Sequence, residues 1–152
     1  MRLISTLVLL LVPAALLAQA PVTYEVDFPN AIHHEAEIAV TFPDVPQGPL
    51  ELRMSRSSPG RYALHEFAKN VYSVEAFDGA GRPLEVTRPN PYQWNVAGHD
   101  GTVRMEYTLF GDRVDGTYAA IDNTHAHLNM PATFMWARGL EDRPISVTFR
   151  AP

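Results

Sequence analysis

The sequence has 152 residues, room for one domain with a real core and little more. Its net charge of −5, one unit more negative without Arg2, comes with no basic cluster and argues against nucleic acid as a partner. Thirteen prolines and nine glycines suit many short strands and turns, and the lack of cysteine leaves a fold held by its core alone, without disulfides.

The chain opens with Met1-Arg2, an apolar run from Leu3 to Leu17, and the small-x-small exit Ala18-Gln19-Ala20. Residues 1–20 read as a secretory leader, which places the mature domain, residues 21–152, in the periplasm or outside the cell. The apolar run is about 15 residues long and interrupted by Pro13, too short for a stable membrane span. Cleavage after Ala20 puts Pro21 at the first mature position, which signal peptidases disfavour. Cleavage after Ala18 and an uncleaved anchor therefore stand as alternatives.

Strand signals follow at regular intervals. Val22 to Phe28 alternates apolar and polar residues, as do Glu35 to Phe42 and Leu50 to Met54. Asn30 to His34 connects the first two as a hairpin, and Asp44 to Pro49 is a turn-rich link to the third. Tyr72 to Phe77 is the next strand, Asp78 to Arg82 a strong turn, and Pro83 to Thr87 its hairpin partner. Tyr92 to Val96 and Thr102 to Leu109 alternate again, Thr117 to Ile121 and Thr133 to Trp136 are shorter candidates, and Ile145 to Phe149 is the last. With almost no helical periodicity, this pattern predicts an all-β fold, an antiparallel β-sandwich or saddle-like sheet. Ile145, Val147 and Phe149 form a good edge with no closing element after it, as expected of a truncated or fragmentary chain.

Between the third and fourth strands, Ser58 to Val71 begins with a Pro-Gly turn and carries aromatics at spacings that fit neither strand nor helix, so an irregular arm is expected. Inside it, His65-Glu66-Phe67-Ala68-Lys69 is one residue short of H-E-x-x-H. Lys69 replaces the second zinc ligand, and an ammonium cannot bind a cation, so no protease centre is expected here. Arg61, Tyr62, His65 and Glu66 are candidates for facing a cleft or a partner domain. The blander reading has Tyr62 and Phe67 pinning the arm to the sheet while the charges stay solvated. His125 and His127, two apart, would face one side of a strand, with Asp122 or Asn129 as a possible oxygen ligand. Polar loop residues are the simpler reading, since structural zinc sites take four ligands, and His33-His34 is a weaker case still.

These residues in this order resemble the N-terminal β domain of the glycyl aminopeptidase family of zinc metallopeptidases (peptidase family M sixty-one). The resemblance rests on Ser58-Pro59-Gly60-Arg61-Tyr62 followed by Phe67-Ala68-Lys69-Asn70-Val71, the hairpin Asp78 to Leu84, Trp94-Asn95-Val96, Val103 to Tyr107, and the loop Asp122 to Asn129 with Phe134 beyond. It departs at Ser55-Arg56-Ser57, where the family commonly has Trp. The resemblance implies an exported aminopeptidase whose β domain packs beside a catalytic domain and helps wall the substrate cleft. The family's zinc-binding helix and catalytic acids belong to a later domain that this chain lacks. No catalytic residue, cofactor or metal ligand is therefore expected in this chain; zinc belongs to the missing catalytic domain. The implied partners are that domain, on the same or a neighbouring polypeptide, and peptide substrates through it. Arg61, Tyr62, His65, Glu66, His125, His127 and Asn129 remain as candidate cleft or interface residues. A free-standing periplasmic immunoglobulin-like binding or adhesion module is the alternative.

Overall fold

Alternating apolar residues set the inner faces of most strands. The computed structural model describes residues 19–150, so the leader expected at the N-terminus lies almost wholly outside the described residues. In chain order the strands are β1 (Val22–Asp27), β2 (Glu35–Phe42), β3 (Leu50–Arg53), β4 (Val71–Phe77), β5 (Glu85–Asn90), β6 (Gln93–Ala97) and β7 (Val103–Phe110). The pair β8 (Ala120–Ile121) and β9 (Ala126–His127) follows, then one helical turn, α1 (Met130–Thr133), then β10 (Trp136–Ala137) and β11 (Ile145–Arg150). Among the described residues no helix is long and apolar enough to cross a membrane.

Two larger sheets share one core. The first has the order β11-β1-β2-β7-β4 and the second β10-β3-β6-β5, with β8 and β9 forming a small separate hairpin. From the first sheet Tyr24, Val26, Ile38, Val40, Met105 and Tyr107 point inward; from the second come Leu50, Leu52, Trp94 and Val96, all buried. Burying side chains of this size stabilises by roughly 1.5–3 kcal/mol each. An all-β fold and the β1–β2 hairpin through Asn30 to His34 are as the sequence predicts.

Three expectations are corrected. The turn Asp78 to Arg82 forms, with the Asp78 carboxylate accepting from the Ala80 and Arg82 N–H groups at 2.9 Å, but the hairpin after it shrinks to a single bridge between Phe77 and Pro83. Pro83 has no N–H for a ladder, and β5 crosses to the second sheet to pair with β6. Thr133 to Trp136 is not a strand: Thr133 ends α1, and only Trp136–Ala137 pairs, with β3. Finally, the first sheet is mixed, because β11 runs parallel to β1. Strand β4 also carries an irregularity. Tyr72 pairs with Thr108 but Glu75 with Glu106, and Ser73 adopts a φ of 51°, so one extra residue bulges out and Val71 and Ala76 become the inward pair.

The irregular segment after α1 passes through the core, where its backbone polar groups need partners. Two buried tyrosines supply them. The Tyr24 hydroxyl donates to the Met135 carbonyl at 2.7 Å, and the Tyr107 hydroxyl donates to the Thr133 carbonyl at 2.8 Å while accepting from the Met135 N–H at 3.3 Å. Burial pushes the Tyr24 phenol up to about 12 and that of Tyr107 further in the same direction. Tyr107→Phe is expected to orphan backbone groups of this segment and lower stability by about 1–3 kcal/mol. The check is a lower urea midpoint with an unchanged slope.

Candidate functional site

The arm, the loop after β7 and the β8–β9 hairpin gather at one end of the sandwich, where β3 and β7 finish and β2 and β4 begin. The arm leaves β3 and turns at Pro59-Gly60; Arg61 donates its N–H to the Ser58 carbonyl at 3.1 Å, and Gly60 has the positive φ (75°) that favours glycine at this place in a turn. It is drawn back on itself by the His65 N–H on the Arg56 carbonyl at 2.7 Å and by the Arg56–Glu66 ion pair at 2.6 Å. The Arg56 guanidinium also lies 4.5 Å from the centre of the Tyr92 ring. A 3-10 turn, Phe67–Asn70, then leads into β4 and buries Phe67 completely.

An aromatic cluster forms the base of the arm. The His65 ring stacks on Phe67 with centroids 5.0 Å apart, and Tyr118 stands edge-on to both, at 5.7 Å and 5.1 Å. Two cations flank Tyr118, Arg113 at 4.4 Å and Lys69 at 5.4 Å from the ring centre. Tyr118 comes from the loop after β7. That loop begins at Gly111, where an added Cβ would lie 2.8 Å from the Ala119 Cβ, so the close approach requires glycine. Asp115 braces the loop by accepting from the Thr117 and Tyr118 N–H groups at 2.9 Å and 3.2 Å. These bonds, with Arg113 beside it, hold the Asp115 carboxyl below the usual range. Arg61 reaches over from the arm to the Asp115 carbonyl at 3.1 Å.

Asn129 ties three pieces together. Its side-chain amide donates to the Ser58 hydroxyl at 3.2 Å and to the Thr117 carbonyl, while its own carbonyl accepts from the Thr133 hydroxyl at 2.9 Å. Asp122 organises the β8–β9 hairpin. It accepts from the Thr124 hydroxyl and N–H, both at 2.6 Å, and from the His125 N–H at 3.0 Å. The Thr124 hydroxyl, then its N–H, contribute most to pulling the Asp122 carboxyl down to about 2. His125 Nδ1 lies 3.2 Å from the same carboxylate, and His127 faces solvent in β9. At the same end His34, left-handed at φ 63°, donates from Nδ1 to the Ile121 carbonyl at 2.6 Å.

Around this bonded framework the large apolar side chains Tyr62, Leu64, Val114 and Met130 are exposed. A cleft of about 470 Å³ lies at the opposite end between the turns 45–49 and 97–101. Its His99 is already tied to the Gly48 carbonyl at 2.8 Å, so the cleft is a gap between turns with no converging reactive groups.

Residues 23–152 match the family described as the Peptidase M61 N-terminal domain. This chain belongs to that family. In fold the M61 N-terminal domain is similar to a crystal structure of an aminopeptidase N family protein from Idiomarina loihiensis, with a TM-score of 0.81 and 20% identity over 86% of the chain. The chain spans only 22% of that protein's length. A search of curated proteins finds no match.

The seven residues singled out in the M61 N-terminal domain all fall at this one end, but in different roles. His65 and Glu66 are built into the base of the arm, and Arg61 straps it to the loop. Asn129 is the knot, committed to structure. Tyr62 does not pin the arm: it is fully exposed, and buried Phe67 does the pinning alone. His125 and His127 do not act as a strand pair, since β9 holds only Ala126 and His127. Among the described residues no group of three or more His, Asp or Glu side chains is arranged to hold a metal ion, and the residues present do not fit a zinc site. Tyr118, the hub of the cluster, goes unnoticed in the sequence because nothing local marks it; only the turn signal Asp115-Gly116 just before it is visible.

Replacing Asn129 by Ala is expected to lower stability by about 1–3 kcal/mol, with hydrogen exchange rising first in residues 58–66. Thr124→Val removes the strongest donor to Asp122. The Asp122 titration followed by carboxyl-carbon NMR should then move up from about 2 toward the unperturbed value near ~3.9. A depressed carboxylate contributes stability above its unfolded pKa and loses it as pH falls through the folded one. The stabilisation from Asp122 is therefore expected to fade between about pH 4 and pH 2, and Thr124→Val should reduce that loss.

Proposed function

We propose that this chain is the non-catalytic N-terminal β domain of an exported zinc aminopeptidase, covering the catalytic domain and helping to shape the cleft that receives peptide N-termini. The observation that carries the reading is the exposed apolar crown of Tyr62, Leu64, Val114 and Met130 on a framework whose polar groups are largely bonded to one another. A framework of this kind holds its tip in one conformation, and an apolar tip held in water suits a surface made to be covered. Family membership and the sandwich fold support the same reading. Arg61, Tyr62, His65 and Glu66 belong to the arm that would approach the cleft, and His125 and His127 to the neighbouring hairpin. Hydrolysis would fall to zinc held by the catalytic domain. The exposed apolar crown favours this reading over a free-standing module with a polar surface all round.

The chain alone, with zinc added, is expected to leave Gly- and Ala-anilides intact; measurable turnover refutes the reading. In a protein carrying the catalytic domain, Tyr62→Ala should raise KM for short peptides with the fold unchanged by circular dichroism.

A further inference from the structure

Strand β11 carries an apolar face that the sandwich does not cover. In register with β1, Ile145 pairs with Val22, Val147 with Tyr24 and Phe149 with Val26, so these three residues continue the inner face of the first sheet. Their β1 partners are buried, yet Ile145 is 62% and Phe149 55% exposed, with only Val147 packed on the core. The cause is the unequal width of the two sheets. The second sheet has four strands to the first sheet's five, and Ile145 and Phe149 on the outermost strand are left exposed. The other face of the strand is ordinary surface: Arg150 pairs there with Glu25 at 3.0 Å and Asp27 at 3.7 Å.

The free edge is also unguarded. Ile145 to Arg150 contains no proline or lysine, and its pairing with β1 runs without a bulge, whereas exposed edges are normally blunted by such devices. At its far end Phe149 and Phe28 line a groove of about 270 Å³ closed on the other side by the loop 122–126. The strip therefore runs into the end of the sandwich that holds the arm and the His125 hairpin.

We propose that this strip is the seat of the peptidase part of the same polypeptide, which lays an apolar segment along Ile145, Val147 and Phe149 and fills the Phe28–Phe149 groove with one large apolar side chain. The inference rests on the functional reading above, that the chain is one part of a peptidase. The exit point selects this occupant. β11 is the last described strand and ends at Arg150, next to the groove residue Phe149, so polypeptide continuing from it would meet the strip at high effective concentration. In the Idiomarina protein this fold takes up 22% of a longer chain, leaving ample polypeptide to supply such a segment.

Hydrogen exchange on the complete gene product beside the 152-residue chain tests this. In the complete protein the amides of 145–150 are expected to exchange roughly tenfold or more slowly than in the short chain. Phe149→Glu and Ile145→Glu should each abolish that protection, while Tyr62→Ala should leave it. Both glutamate variants replace side chains that are exposed in the short chain, so its melting temperature reports whether either disturbs the fold itself. Equal exchange in the two proteins overturns the proposal, and does so even where the complete protein is an active aminopeptidase, which leaves the functional reading standing. Protected β11 in a complete protein without aminopeptidase activity supports the interface and refutes the function. Protection that rises with concentration in the short chain, with a dimer's mass by light scattering, makes a second copy the occupant and overturns the proposal. So does a gene that ends at codon 152, in which case the peptidase partner would have to be a neighbouring polypeptide.

Discussion

The hydroxyls of Tyr24 and Tyr107 hold the backbone of Thr133 to Met135 inside the core, and the rest of the architecture hangs on that contact. Non-repetitive backbone is costly to bury because its N–H and C=O groups have no ladder to join. Here two side chains of the first sheet do the work of a ladder. The segment they hold reaches in both directions: Trp136–Ala137 pairs with β3 and completes the second sheet, while Asn129, just before α1, ties down the arm and the loop after β7. One stretch of chain thus joins both sheets and the candidate site.

That linkage explains why the end with the arm can be precise without regular secondary structure. Its charged and polar groups are largely spent on one another: Arg56 on Glu66, Asp115 on its own loop, Asp122 on its own turn, Asn129 on Ser58 and Thr117. Groups so committed are poor candidates for acid–base or metal chemistry, because releasing them would cost the fold its local bonds. What is left free is apolar. Tyr62, Leu64, Val114 and Met130 on the crown, and Ile145 and Phe149 on the edge, are the side chains with most to gain from a covering surface.

Much of this was legible in the residues. Period-two alternation marks β1, β2, β3 and β7 because each has one dry and one wet face, and the burial of Ala36, Ile38, Val40 and Phe42 follows the pattern residue by residue. The Pro59-Gly60 turn and the irregular arm were visible for the same local reason. The ordered motifs pointed to the family that residues 23–152 match. Elsewhere a distant partner overrides the local pattern. The bulge at Ser73 shifts the phase of β4, α1 replaces a short strand at Thr133, and the exposed Tyr62 yields the pinning role to Phe67, whose partner Tyr118 is far along the chain.

By itself the sequence determined the all-β class, the positions of most strands, the turn chemistry and the ordered motifs of the family, since each depends on neighbours a few residues apart. Only the tertiary structure decided that β11 lies parallel to β1 at an uncovered edge, that β5 belongs to the second sheet, and that His65, Tyr118, Asn129 and Ser58 meet at one end. Those choices rest on contacts such as Tyr24 with Met135, 111 residues apart, and on the unequal reach of two sheets. A local period of two carries no information about which strand becomes the neighbour or where the opposing layer stops.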